Sequence, residues 1–142
     1  METEFVCESL DDLPAIVKAV FEAGKNYKVW IFRGEMGTGK TTFIHTLLEQ
    51  IGSPDHVSSP SYALVNEYLA EAGFLIYHFD LFRLKSMDEA LDIGIDEFLE
   101  SGEYCFIEWP ELIIPLLPEI FLEIIISNPV NEKRILNLYM HG

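Results

Sequence analysis

Positive charge is scarce in this chain. Nine lysines and arginines face 24 aspartates and glutamates in 142 residues, giving a formal net charge of −15. Such a surface repels the phosphates of nucleic acid, and the basic residues are scattered rather than gathered along a groove. If RNA is involved, a partner must hold it. Cysteine is equally sparse: Cys7 and Cys105 sit in apolar, strand-like runs with no metal spacing, as expected of reduced core thiols in a cytoplasmic protein. Long apolar runs are missing too. The most apolar stretch, Leu112 to Ile126, is broken by Pro115, Pro118, Glu119 and Glu123, and no basic, apolar leader opens the sequence. Neither a signal peptide nor a membrane span is expected. There is no repeat, low-complexity tract or linker, and 49% hydrophobic content suffices for a real core. The expectation is a single domain over residues 1–142.

What is present is a phosphate-binding signature. Gly34-Glu35-Met36-Gly37-Thr38-Gly39-Lys40-Thr41 satisfies G-x-x-x-x-G-K-[ST] at every required position. Glycines let backbone N–H groups approach a phosphate closely, and Lys40 supplies a compact cation to the β- and γ-phosphates. Thr41 sits where its hydroxyl can reach a Mg2+ ion, and a helix starting near Gly39 points its positive end at the anion. The flanks agree. Lys28 to Phe32 is a short β-rich run, and Thr42 to Leu48 repeats apolar residues at helical spacing before Gly52 and Pro54.

Along the rest of the chain, Met1 to Val6 suggests a strand and Ser9 to Ala23 a helix closed by Gly24. A hydroxyl-rich turn, Ser58-Ser59-Pro60-Ser61, precedes a strand from Tyr62 to Tyr68, with a hairpin turn at Ala70 to Gly73. Phe74 to Phe79 is a further strand ending at Asp80, and Ser86 to Leu99 holds one or two helices interrupted at Gly94. Tyr104 to Ile107 is a strand running into Glu108-Trp109-Pro110. Glu119 to Ser127 and Arg134 to Met140 form a closing antiparallel pair around Asn128 to Asn131. Strands interleaved with helices imply an α/β three-layer sandwich: a mostly parallel central sheet, with antiparallel strands at one or both margins.

In such sheets ligands sit beyond the carboxyl ends of the strands, so an acid directly after an apolar strand faces the phosphate loop. Asp80 and Glu108 qualify. With Thr41 they could supply the metal and water positions that phosphoryl transfer needs. Ser59 and Ser61 are candidates for a loop that senses the γ-phosphate. Trp109 could stack on a partner, cover the nucleotide or belong to the core. His45 and His78 lack metal-ligand spacing and suggest structural roles. Between Lys40 and Lys133 only Arg83 and Lys85 are basic. That leaves no arginine-bearing lid to clamp a transferring phosphoryl group, so intrinsic hydrolysis should be slow and await a partner.

Four blocks, taken together, resemble a known family: Gly34 to Phe43, Ser59 to Tyr68, His78 to Leu84, and Ile107 to Glu111. They look like those of the TsaE (YjeE) family, small P-loop ATPases of bacterial tRNA threonylcarbamoyladenosine synthesis, in the same order and spacing through most of the chain. The resemblance implies ATP binding and hydrolysis in association with TsaB and TsaD, which carry out the threonylcarbamoyl transfer, with tRNA met only through those partners. It implies a P-loop NTPase-like fold and nucleotide contacts from Glu35, Met36, Gly37, Thr38, Gly39, Lys40, Thr41 and Thr42. It further implies Mg2+ held by Thr41 and Glu108, support for metal or water from Asp80, and a switch-like loop at Ser59 to Ser61. Trp109 matches the family's tryptophan; the segment near Leu10 to Asp12 and Lys133 are candidates for the adenine pocket. Where the family usually has Ser-Pro-Thr-Phe-Thr, this chain has Ser59-Pro60-Ser61-Tyr62-Ala63. Ser61 keeps a hydroxyl and Ala63 cannot, which makes Ser61 the expected sensor. Asp is common where Glu35 stands.

Two rival functions use the same loop. A small nucleotide or metabolite kinase would need an acceptor pocket and a cationic clamp, which the sparse arginines argue against. A nucleotide-dependent binding module would bind ATP with little turnover.

Overall fold

The computed structural model describes residues 2–52, 56–58, 64–128 and 133–142. The architecture grows from strands buried on both faces. In β2 (Val29–Arg33), Trp30 and Phe32 enter one hydrophobic core while Val29 and Ile31 enter another. The same division splits β6 (Tyr104–Glu108), with Tyr104 and Phe106 on one side and Cys105 and Ile107 on the other. A strand flanked by helices on both faces demands this near-continuous apolar run.

The remaining strands are β1 (Glu2–Cys7), β3 (His56–Ser58), β4 (Val65–Leu69), β5 (Leu75–Asp80), β7 (Phe121–Ser127) and β8 (Arg134–His141). All eight join one sheet in the order β1-β8-β7-β2-β6-β5-β4-β3. The four central strands β7, β2, β6 and β5 run parallel. Antiparallel pairs extend both margins, β8 and β1 on one side and β4 and β3 on the other. The helices α1 (Leu13–Gly24) and α2 (Lys40–Gln50) cover the first core, through Val17 and Val20 and through Phe43, Ile44 and Leu47. The opposite face is covered by α3 (Met87–Asp92), α4 (Ile95–Leu99) and a 3-10 turn at Glu111–Leu116, through Ala90, Ile95 and Ile113. This is the expected α/β three-layer arrangement, with antiparallel strands at both margins.

Four local expectations need correction. The helix expected from Ser9 begins as a 3-10 turn at Leu10–Asp12, and α1 starts at Leu13. Pro14 explains the break, because its ring removes a backbone donor and is tolerated only in a helix's first turn. Gly24 does not stop α1; it is the last helical residue. Its role is close approach, since a Cβ there would lie 2.6 Å from Leu122 Cδ2 and 3.2 Å from Trp30 Cζ2. Ser58, where the turn was expected to begin, instead ends a short edge strand, His56–Ser58; the rest of that turn lies outside the described residues. The expected strand from Tyr62 starts at Val65 within the described residues, which exclude Tyr62 and Ala63. The 3-10 turn at Glu111–Leu116 had no sequence expectation. Elsewhere the elements lie within a few residues of where the pattern puts them. Most of the turn expected at Asn128 to Asn131 lies outside the described residues.

Candidate nucleotide-binding site

β2 delivers the glycine-rich loop to the carboxyl end of the parallel strands, and α2 carries the chain away from it. Gly34 has φ 150°, and a Cβ there would lie 2.5 Å from the Ile126 carbonyl oxygen and 2.7 Å from Thr38 Oγ1. Gly39 caps α2 in the left-handed region at φ 100° and ψ 22°. Side chains are excluded from both positions, by contact at the first and by backbone conformation at the second. The loop is braced internally, with Thr38 donating to the Glu35 carbonyl from its N–H at 3.2 Å and from Oγ1 at 2.9 Å. It is also braced from β8: Arg134 Nε donates to the Thr38 carbonyl at 2.9 Å.

A cavity of about 410 Å³ opens over this loop. Met36, Gly37, Thr38, Gly39, Lys40, Thr41 and Thr42 line it, joined by Asp80, Glu108 and Trp109 from the strand ends. Lys40 is 5% exposed; its ammonium donates to the carbonyls of Gly34 and, at 3.2 Å, Glu35. It also lies 4.0 Å from the centroid of the Trp109 ring. Burial pushes the Lys40 pKa down, against the opposing pull of the Glu108, Glu111 and Asp80 carboxylates. Trp109 has φ 56°, a left-handed backbone rarely taken by a bulky residue. Its ring packs on Phe82 with centroids 4.9 Å apart.

Glu108, the last residue of β6, is 2% exposed. Its Oε1 accepts from the Thr41 hydroxyl at 2.8 Å, and its Oε2 lies 2.7 Å from His78 Nε2. Burial raises the carboxyl pKa, but the hydrogen bond and charge of His78, the Thr41 hydrogen bond and the Lys40 charge outweigh it. The pKa therefore sits below the ordinary value. Asp80 ends β5 directly beside Glu108 in the parallel register. It is exposed, and its Oδ1 accepts from the Phe82 N–H at 3.1 Å.

Among the described residues no group of three or more His, Cys, Asp or Glu side chains could hold a metal ion. The Thr41 and Glu108 oxygens, 2.8 Å apart, form a hard donor pair. That suits Mg2+, which is held by few protein oxygens and completes its shell with phosphates and water. The structure thus gathers most of the expected residues at one cavity. Glu35 contributes its carbonyl to the loop but does not line the cavity. From the segment near Leu10 to Asp12, Leu10 does, with Ser9, while Asp11 and Asp12 do not. Lys133 is not among the lining residues; its neighbour Arg134 is. Ser59 and Ser61 lie outside the described residues. Two residues escaped sequence reasoning. Nothing in the sequence marks Arg134, whereas His78 could have been found by parity, lying two places before Asp80 and so on the same sheet face.

The family described as Threonylcarbamoyl adenosine biosynthesis protein TsaE matches residues 7–136. The chain belongs to the TsaE family. It is 34% identical over 125 residues to the tRNA threonylcarbamoyladenosine biosynthesis protein TsaE of Bacillus subtilis, spanning 87% of this chain and 77% of that one. The same-named protein of Rickettsia bellii is 31% identical over 139 residues, 97% of this chain and 95% of its own. The crystal structure of Bacillus subtilis YdiB matches with a TM-score of 0.76 at 25% identity, over 100% of this chain and 87% of that one. Membership in the TsaE family associates the chain with tRNA threonylcarbamoyladenosine biosynthesis. No helix among its described residues is long and apolar enough to cross a membrane.

Proposed function

We infer that this TsaE-family chain binds ATP with Mg2+ and hydrolyses it slowly to ADP and phosphate in the cytoplasm, acting with TsaB and TsaD. The observation that carries the reading is the contact of Glu108 Oε1 with the Thr41 hydroxyl, at 2.8 Å, beside the phosphate loop. Loop N–H groups and the start of α2 would receive the phosphates, and Lys40 would leave its carbonyl partners to meet the β- and γ-oxygens. Thr41 and Glu108 would hold Mg2+, which when bound neutralises charge between those phosphates. Asp80, the last residue of β5, would orient the attacking water. Water oxygen bonds to the γ-phosphorus as the bond to the bridging oxygen breaks, releasing phosphate, ADP and a proton.

Among the described residues the cavity is lined by two basic side chains, Lys40 and Arg134. With so few cations, the site supports slow turnover that a partner completes. An acidic surface of net charge −15 suits a subunit that leaves RNA to partners with a basic face. The test is ATP hydrolysis by the purified chain, alone and with TsaB and TsaD, using Lys40→Ala and Glu108→Ala as controls. Stimulation by the pair that both substitutions abolish is expected. Transfer of phosphate to a small acceptor, without stimulation, overturns the reading in favour of a kinase.

A further inference from the structure

His78 has no part in the phosphate loop and is absent from the cavity wall, yet it makes the shortest side-chain contact to Glu108. The Nε2 to Oε2 distance is 2.7 Å, and the two side chains are 6% and 3% exposed. The carboxylate is therefore held at both oxygens: Oε1 from the first turn of α2 through Thr41, and Oε2 from β5 through His78. Because β5 and β6 run parallel, with His78 paired to Phe106 and Asp80 to Glu108, the ring reaches diagonally across the sheet to the end of β6. The imidazole can present Nε2–H to Oε2 whether neutral or protonated. Its other nitrogen, Nδ1, is buried without a hydrogen-bond partner among the described residues. His45 on α2 meets the ring edge-on, with centroids 6.2 Å apart. Leaving Nδ1 buried and unpaired costs stability, so stability alone does not account for a histidine at this position.

We propose that His78 is a positioning residue for Glu108, locking the carboxylate rotation that directs Oε1 to the Thr41 hydroxyl and so forms the oxygen pair for Mg2+. The proposal rests on the nucleotide reading above and extends it to a residue outside the cavity. A carboxylate free to rotate about its terminal torsion, which has broad minima, would lose that alignment. Partners of this outer kind typically change metal affinity by about 10- to 100-fold when removed.

The test measures binding rather than turnover. A fluorescent ATP analogue is titrated with and without Mg2+ into the wild type, His78→Leu, His78→Asn and His78→Gln, each checked for folding by circular dichroism. Leu removes the donor, Asn brings its amide only to the depth of Nδ1, and Gln restores a donor near Nε2. Leu and Asn are expected to raise the Mg2+ concentration for half-maximal effect by about 10-fold while leaving metal-free affinity within about twofold; Gln should recover most of the loss. Should Leu fail to fold, the Asn and Gln pair carries the comparison. Mg2+ dependence that is present in the wild type and unchanged in folded Asn or Leu variants overturns the positioning role. Equal loss in Gln and Asn also overturns it, as that marks mere packing. A wild type with no Mg2+ dependence overturns the underlying nucleotide and metal reading, and the positioning role with it.

Discussion

Replacing Trp109 by alanine and, separately, by glycine should invert the usual ranking of those two residues. Both changes remove the indole, with its contact to Phe82 at 4.9 Å between centroids and to Lys40 at 4.0 Å. They differ only in the backbone, which stands at φ 56°. An L-residue in the left-handed region carries about 1–2 kcal/mol of strain that glycine avoids. Glycine instead loses about 0.4–1 kcal/mol through the greater freedom of its unfolded chain. The balance leaves the glycine variant about 0.5–1 kcal/mol more stable than the alanine variant, with both below the wild type. With a urea dependence of about 1–3 kcal/mol per molar, the two midpoints should differ by about 0.2–1 M. Equilibrium urea unfolding followed by far-ultraviolet circular dichroism would resolve this. An alanine variant as stable as the glycine one, or more so, refutes the strained geometry at Trp109.

Gly24→Ala should destabilise the fold by about 1–2 kcal/mol, because overpacking of about 1–3 kcal/mol outweighs a helix-propensity gain of up to about 1 kcal/mol. The new methyl would lie 2.6 Å from Leu122 Cδ2, so an unchanged or raised urea midpoint would contradict the packing described. Acid stability should depend on Glu108, whose folded pKa lies below the ordinary 4.5. A depressed carboxyl pKa contributes stability fully present above the unfolded value and lost as pH falls through the folded one. The stability gap between wild type and Glu108→Gln should therefore narrow steadily below about pH 4.5, as urea unfolding at successive pH values would reveal; a constant gap rules it out.

How much of this was legible in the sequence varies with how local the cause is. The glycine-rich loop was legible because its signature is contiguous: glycine at Gly34 and Gly39, a cation at Lys40 and a hydroxyl at Thr41. Glu108 and Asp80 were legible because an acid ending an apolar strand has one plausible address in a parallel sheet. Gly24 was misread because a helix-ending glycine and a glycine set for close contact look alike until Leu122, 98 positions later, is placed against it. Ser58 was misread because its turn-forming neighbours outvoted the pairing offered by β4. Arg134 could not have been found, since its contact with Thr38 depends on β8 lying beside β7 rather than on any local pattern. His78 was passed over for lacking a metal-ligand spacing, a criterion that ignores a hydrogen bond to another buried side chain such as Glu108.

The braces of the phosphate loop arrive late in the chain. Thr41 meets Glu108 across 67 residues, and Thr38 meets Arg134 across 96. At about 5–20 residues per second, a ribosome that has finished the loop needs roughly 5–20 s more to supply the last of them. Until then the nascent chain carries the whole Gly34 to Thr41 signature, at first without the Glu108 carboxylate and to the end without the Arg134 guanidinium. A fragment ending before β6 would satisfy any search for the motif and still lack the site. Premature termination in the final third of the message should therefore be as damaging to this protein as a lesion in the loop itself.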